Sequence, residues 1–281
     1  MSNLKKLLSI SRPRFWLYVL GTYMLGIVAA GKLFDHDLFT IMVLFGLALF
    51  FSLPANLFIY GVNDMFDYDT DRHNQKKIEY EKLLRPEERK YLRRWIVGLI
   101  LPFIPLGWQL DARTLLPLGV FIFTGYFYSA LPIRAKARPP LDILFSSVIY
   151  VSPSLVGYFA AGGKAIDVLL VLGGLLWAMA MQTYSAVPDI EADKKAGVST
   201  LATKLGRVPA LYFCLSSYLI AAFIGSMYVG FLSIALGIVY GAIVLFTIRK
   251  PEKLFTYYTY FPLINSASGA LLFFYVFIRT L

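Results

Sequence analysis

The sequence predicts an all-α fold: a polytopic membrane protein of nine transmembrane helices, forming one domain over residues 1–281. Three observations carry that expectation. Apolar residues make up 58% of the chain, charged residues 16%, and the mean hydropathy is +0.64. A soluble domain carries about 25% charged residues, so the excess needs a second apolar solvent, and a bilayer supplies it. Apolar runs of about 20 residues recur from end to end, each long enough to cross ~30 Å of hydrocarbon. The basic residues, finally, crowd into alternate gaps between the runs.

Taken in order, the spans lie near residues 14–31, 38–61, 93–110, 114–132, 142–161, 166–187, 209–228, 230–248 and 255–278. The first begins in "MSNLKKLLSISRPRFWLYVLG", basic residues before an apolar run with no small-residue cleavage site. It reads as a retained helix and not as a removed signal. Of the 27 basic residues, only Lys32, Arg113, Lys164 and Arg279 fall on one side of the spans. The rest fall on the other: in the N-terminal segment, between Arg72 and Arg94, in "RAKAR", between residues 189 and 207, and in "RKPEK". Basic loops stay cytoplasmic, so the N-terminus is expected inside and the C-terminus outside. The formal charge of +10 is then mostly a topology signal, satisfied by anionic membrane lipid, and it calls for no nucleic acid. Cys214 lies in an apolar run and reads as a small buried hydrophobe. As the single cysteine it excludes an intramolecular disulfide.

The second span ends in "NDMFDYDTD", Asn63 to Asp71, with four aspartates in eight residues. At about 100° per residue, Asp64, Asp67 and Asp71 fall within about 60° of one another. Asn56, Tyr60, Asn63 and Asp67 lie close to one stripe, while Asp69 points about 140° away from Asp64. The seam deepens into the membrane and ends in three clustered carboxylates, whose mutual repulsion demands a positive partner. A solvated acidic loop after a membrane helix would also give such a run. Against it stand the one-sided seam and the intramembrane Asn56, because polar groups inside a span are costly and usually face a cavity.

The sixth span repeats the pattern. It ends in "MQTYSAVPDIEADKKAGVSTLATKLG", where Gln182, Ser185, Asp189 and Asp193 form a second stripe. Pro188 removes a backbone donor just before the carboxylates and is expected to kink the helix. The recurrence, four spans on, suggests duplicated four-helix halves plus a ninth helix. Charge bias puts both seams on the same membrane face, which solvated loops explain poorly. Clustered carboxylates with an Asn oxygen suit a hard cation. Mg²⁺ takes few protein carboxylates and completes its shell with water and phosphate oxygens. No His or Cys cluster offers a zinc or copper site: His36 is on the outer side, and His73 follows the first seam. The substrate implied is itself anionic, and a diphosphate fits.

Between the fourth and fifth spans, "YFYSALPIRAKARPPLD" sets Arg134, Lys136 and Arg138 after Tyr128 and Ser129. Alone, the basic group is a positive-inside anchor. Beside two metal-binding seams on the same face it becomes a candidate clamp for phosphate oxygens.

These residues resemble a known family. "NDMFDYDTD" is similar to the NDxxDxxxD motif, and "DIEAD" to the second, DxxxD motif, of the UbiA superfamily of intramembrane prenyltransferases. The likeness covers essentially the whole chain. The segments "SRPRFWLYVLGTYMLG" and "YSALPIRAKARPPLD" look most like the lycopene-elongase-like branch, which prenylates carotenoid ends. The resemblance implies that Asn63, Asp64, Asp67, Asp71, Asp189 and Asp193 hold Mg²⁺ on an allylic prenyl diphosphate, with Asp64, Asp67, Asp189 and Asp193 required for catalysis. It implies that Tyr128, Arg134 and Lys136 assist diphosphate binding or departure, and Arg72, directly after the first motif, is a further phosphate contact. It implies a bundle around a lipid-open central cavity, capped on the cytoplasmic side by the segments after the second and sixth spans, here 63–92 and 189–207. The acceptor implied is lipophilic, such as lycopene. The setting implied is a prokaryotic cell membrane, with the active-site opening cytoplasmic.

Two other readings stay open. An aromatic prenyltransferase of the same superfamily would act on 4-hydroxybenzoate or a quinone precursor. A cation-coupled transporter also carries intramembrane carboxylates. It would set them near the midplane, whereas these cluster at the cytoplasmic ends of helices. A soluble-type prenyl diphosphate synthase shares aspartate-rich motifs and is excluded by nine spans. The chemistry is coherent with a membrane bundle: ionising an allylic C–O bond leaves a carbocation that must meet its acceptor before water does, and a dry interior allows that.

Overall fold

The computed structural model describes residues 3–32, 35–68 and 84–281, and every regular element among them is helical. Helix α1 (Asn3–Ile10) precedes a 3₁₀ turn at Pro13–Tyr18 and helix α2 (Leu20–Ala29). Helices α3 (Leu38–Phe51) and α4 (Leu53–Phe66) run on from one another across Ser52. Next come α5 (Arg89–Ile100), α6 (Ala112–Phe127), α7 (Leu141–Ala160) and α8 (Val168–Ala186). Two short helices, α9 (Ile190–Lys195) and α10 (Leu201–Leu205), lead into α11 (Arg207–Val229), α12 (Phe231–Arg249) and α13 (Leu254–Thr280).

Six helical stretches among the described residues are long and apolar enough to cross a membrane: Leu38–Phe66, Leu141–Ala160, Val168–Lys195, Arg207–Val229, Phe231–Arg249 and Pro251–Thr280. Nine were expected, and the three that fall short do so for visible reasons. The first is split: Pro13 opens a 3₁₀ turn, and α2 has only 10 residues. The third starts on Arg89, Lys90, Arg93 and Arg94 and loses its regular ladder at Pro102 and Pro105. The fourth, α6, stops at 16 residues with Pro117 inside it. Large apolar side chains face outward along the bundle, among them Phe45, Leu116, Phe223, Phe231 and Phe274. In water such a surface is a liability; in lipid it is the expected contact face, so the protein is an integral membrane protein.

Two apolar clusters fill the interior. One draws on α1 to α7, with Tyr23, Leu47, Phe51, Leu57 and Phe121 fully buried; the other draws on α8 to α13, around Tyr184, Leu211, Tyr218 and Tyr240. Tyr18 and Tyr150 pack against both. They can do so because α2 and α7 cross at backbone contact. A Cβ on Gly26 would lie 1.9 Å from the Ser154 carbonyl oxygen, and one on Gly157 would lie 2.2 Å from that of Tyr23. Small residues permit this approach between membrane helices. Tyr18 and Tyr150 each sit about two turns ahead of the crossing on their own strand of chain, which brings their rings edge to face at 5.7 Å.

A second tie organises the end of the bundle. Asp142, buried in the first turn of α7, accepts a hydrogen bond from the Leu201 backbone N–H at 2.6 Å. The segment that follows α9 is thereby held against the helix ends and not left in solvent. Cys214 is buried on α11, as its apolar surroundings in the sequence predict.

Candidate functional site

A cavity of about 240 Å³ lies where the two clusters meet. Its lining has a polar part, Arg12, Asn63, Asp67, Lys136, Asp189 and Asp193, and an aromatic and aliphatic part, Phe15, Tyr18, Ile149, Tyr150 and Phe261. The polar part is assembled from four separate stretches of chain.

The first seam rides on α4, which stays helical to Phe66 and places Asp67 at its C-cap. Asp64 is 3% exposed and Asp67 1%. Carboxylates this deep cost several kcal/mol each unless paired, and both are paired. Arg12 Nη2 donates to Asp64 Oδ1 at 2.8 Å. Lys136 forms an ion pair with Asp67 through Oδ2. The Arg12 guanidinium also lies 4.7 Å from the centroid of the Tyr60 ring. Asn63 Oδ1 accepts from the Ser129 hydroxyl at 3.1 Å.

Two backbone turns deliver this positive charge. Arg12 (φ 52°) and Arg134 (φ 45°) are the non-glycine residues in the left-handed region among those described. Such a conformation costs roughly 1–3 kcal/mol. At Arg12 the following Pro13 already disfavours the right-handed helical region. The turn at Arg134 opens the 3₁₀ stretch Ala135–Ala137 that carries Lys136 to Asp67.

The second seam is built differently. Helix α8 ends at Ala186, Val187–Asp189 is a 3₁₀ turn containing Pro188, and α9 restarts at Ile190. The expected kink is thus a change of helix type. Gln182, Ser185, Asp189 and Asp193 all line the cavity. Gln182 Nε2 donates to the Tyr128 hydroxyl at 3.0 Å, and its Oε1 accepts from Ser146 at 2.8 Å. Tyr128 is therefore oriented by the second seam while sharing a wall with the first.

Of the residues singled out in the sequence, the fold brings Asn63, Asp67, Tyr128, Lys136, Asp189 and Asp193 to one cavity. Asp64 is not in the cavity wall and adjoins it through Arg12, which is. Arg134 does not line the cavity either; its part is in the turn that presents Lys136. Asp71 and Arg72, and the bystander Asp69, lie outside the described residues. The residue that sequence reasoning missed is Arg12, which counted only as a topology charge. The signal available was its place directly before Pro13 in "SRPR".

The donor set in the polar part is all oxygen: Asn63, Asp67, Asp189 and Asp193. Among the described residues no three acidic, His or Cys side chains gather closely enough to cage a metal by themselves. That suits Mg²⁺, which relies on water and phosphate oxygens for most of its shell. Asp67 Oδ1 supplies a direct indication: it is buried and has no hydrogen-bond partner among the described residues. The residues present fit a hard cation shared with an anionic ligand.

Comparison with known proteins agrees with this geometry. The UbiA prenyltransferase family matches residues 19–260. A lycopene elongase/hydratase from Haloarcula japonica is 36% identical over 268 residues, covering 94% of this chain and 88% of the relative. Another lycopene elongase/hydratase, from Halobacterium salinarum, is 39% identical over 217 residues and covers 76% of each chain. Among solved structures, a UbiA homologue from Archaeoglobus fulgidus bound to DMAPP and Mg²⁺ superposes with a TM-score of 0.70, at 21% identity, over 97% of this chain and 98% of that one. The structural likeness establishes the fold, and the family match, together with relatives this similar along nearly the whole length, establishes more: this chain belongs to the UbiA prenyltransferase family and is a membrane-embedded prenyltransferase.

Proposed function

We propose that this prenyltransferase is Mg²⁺-dependent and moves a prenyl group from an allylic prenyl diphosphate to the end of a carotenoid such as lycopene. The observation that carries the reading is the mixed lining of the cavity, in which carboxylates and cations share one space with aromatic and aliphatic side chains. The relatives named lycopene elongase/hydratase support the acceptor.

Asp67, Asn63, Asp189 and Asp193 would hold the metal, with Asp64 and Asp71 completing the first motif. Bound Mg²⁺ neutralises diphosphate oxygens and so favours departure of the diphosphate. Lys136 and Arg12 add fixed positive charge where negative charge grows as the C–O bond breaks. Tyr128 accepts from Gln182, which leaves its own proton for a phosphate oxygen. Arg72 is a further contact to the diphosphate, and Arg134 acts through the turn that presents Lys136. Phe15, Ile149 and Phe261 exclude water from the carbocation, and the aromatic faces stabilise its charge.

In this reading residues 1–281 act as one domain that crosses a prokaryotic cell membrane nine times. The N-terminus and cavity mouth face the cytoplasm, and segments 63–92 and 189–207 cap the cavity. The one-sided basic charge supports the orientation; the Leu201 to Asp142 bond supports a docked second cap. The test is to supply detergent-purified protein with Mg²⁺ and a panel of prenyl diphosphates, offering lycopene, 4-hydroxybenzoate and a quinol precursor. Lycopene is expected to gain prenyl mass. Gain by 4-hydroxybenzoate alone would replace the carotenoid acceptor with an aromatic one.

A further inference from the structure

Two phenols in the cavity, one buried and one half-buried, have no part in the mechanism so far. Tyr60 on α4 and Tyr150 on α7 both line it, and their hydroxyls stand 3.5 Å apart. We propose that Tyr60 and Tyr150 together hold a water molecule and so decide how the reaction ends, as an alcohol or as an alkene. The inference rests on the carotenoid reading given above.

Carbon–carbon bond formation with an alkene acceptor leaves a problem that diphosphate departure does not solve. The allylic C–O bond breaks and its electron pair leaves with the diphosphate. The acceptor's π pair then forms the new C–C bond, and the other alkene carbon becomes a tertiary cation. That cation has two exits. A neighbouring C–H bond gives up its proton and a new double bond forms. Alternatively a water oxygen forms a C–O bond and the resulting oxonium sheds a proton. In either case the proton ends on the diphosphate released in the first step, so atoms and charge balance with water as the one co-reactant.

The phenol pair is placed for the second exit. Tyr60 precedes Asp67 by seven residues, about 10 Å along the helix axis. Its backbone therefore lies about two turns deeper along α4 than that of Asp67. Both rings are fixed. Tyr60 is flanked by Phe15 at 5.8 Å and by the Arg12 guanidinium, and Tyr150 by the edge of Tyr18 at 5.7 Å. Of the other phenols in the lining, Tyr18 accepts from Asn265 at 2.6 Å and Tyr128 from Gln182 at 3.0 Å. At 3.5 Å the Tyr60–Tyr150 contact is longer than the about 2.5–3.0 Å of a well-formed O–H···O bond. A third oxygen bridging the two hydroxyls makes two better bonds. A bound water needs two to four polar partners, and each phenol both donates and accepts. Beside Phe15 and Ile149, which also line the cavity, this pair holds one water and orients its lone pair.

The experiment uses full-length protein with Mg²⁺, dimethylallyl diphosphate and lycopene in water enriched in heavy oxygen, with products separated by mass. Wild type is expected to yield a prenylated product carrying labelled hydroxyl. Tyr60→Phe and Tyr150→Phe are each expected to lower the ratio of alcohol to alkene about tenfold, the scale of one hydrogen bond lost from a transition state. The ratio is internal, so a change in total turnover leaves it readable. A double variant with the wild-type ratio overturns the proposal. So does a wild-type product that is prenylated yet never labelled, a result that needs no variant to fold. A wild type that prenylates only an aromatic acceptor overturns the carotenoid reading, and the water assignment with it.

Discussion

The seam at the end of α4 and the seam after α8 carry the same kind of carboxylate in opposite settings. Asp64 and Asp67, on the last turn and C-cap of one unbroken helix, are almost wholly buried, and each has a basic partner from a distant part of the chain. Asp189 and Asp193 are half-buried and sit on either side of a helix restart made by Pro188. The difference follows from depth. A buried carboxylate must carry its counter-charge within the fold, because removing either partner strands the other in low dielectric. A half-buried carboxylate at a cavity wall keeps part of its hydration, so less of the fold's stability hangs on its counter-charge. The first seam therefore couples stability to activity more tightly than the second does.

The largest expected effects test that difference. Asp67→Ala strands Lys136, whose side chain is 12% exposed, and should cost about 3–5 kcal/mol of stability as well as activity. Asp189→Ala should lower Mg²⁺-dependent transfer by about 10²–10³-fold with a smaller loss of stability in detergent than Asp67→Ala. Parallel measurement of turnover and unfolding decides. Equal destabilisation by both variants would erase the distinction between the seams, and wild-type turnover by purified Asp189→Ala would remove the metal assignment.

The basic loop allows a finer comparison. Lys136 reaches the cavity and Arg134 does not, although the sequence offers them as one clamp. Lys136→Ala should weaken prenyl diphosphate binding and also destabilise the fold, since it leaves Asp67 unpaired. Arg134→Ala should raise the apparent binding constant by only a few-fold, about 1 kcal/mol or less, with little change in unfolding. Titration of a non-hydrolysable diphosphate analogue reads both. A larger binding defect at Arg134 would mean that its guanidinium turns into the site when the anion is present.

The second seam has its own point of failure in Asp142. Its Oδ2 is the acceptor for the Leu201 N–H, so Asp142→Ala should cost about 1–3 kcal/mol and loosen the segment after α9. Trypsin cleavage after Lys194, Lys195 or Lys204 would rise, and diphosphate affinity would fall. Asp142→Asn retains an oxygen acceptor and should stay close to wild type. Equal behaviour of the two would show that the carboxylate charge, and not the bond to Leu201, holds the cap.

Much of this was legible in sequence because it is periodic. The seam Gln182, Ser185, Asp189 and Asp193 lines one cavity even though the helix changes type beneath it, since a 3₁₀ turn rotates the stripe by little over one turn of chain. The long apolar spans were legible for the same reason. What escaped is long-range or set by single backbone residues. Arg12 meets Asp64 across 52 positions through a left-handed turn, and no pattern along one helix encodes that meeting. Asp142 opens the fifth span, and nothing beside it in the chain points to Leu201, 59 positions away. Asp64 falls on the stripe of the first seam, yet its oxygen faces Arg12 and not the cavity, because depth along the helix as well as angle decides what a side chain reaches.

The smallest expected effect probes where that periodic argument ends. Asp69 lies about 140° from Asp64 if the helix continues, and on that ground it is a bystander. Helix α4, however, stops at Phe66, and Asp67 has already left helical geometry with φ −109° and ψ 6°. The wheel therefore licenses the positions of Asn63 and Asp64 more firmly than that of Asp69. If the stripe still holds beyond the C-cap, Asp69→Ala should change turnover by no more than about twofold, as surface substitutions do when they touch no structural feature. If Asp69→Ala loses activity as completely as Asp189→Ala, the first seam recruits its outer carboxylates by loop geometry. The two seams would then be alike in using broken helix to aim their last acid, and the contrast between them would narrow to burial alone.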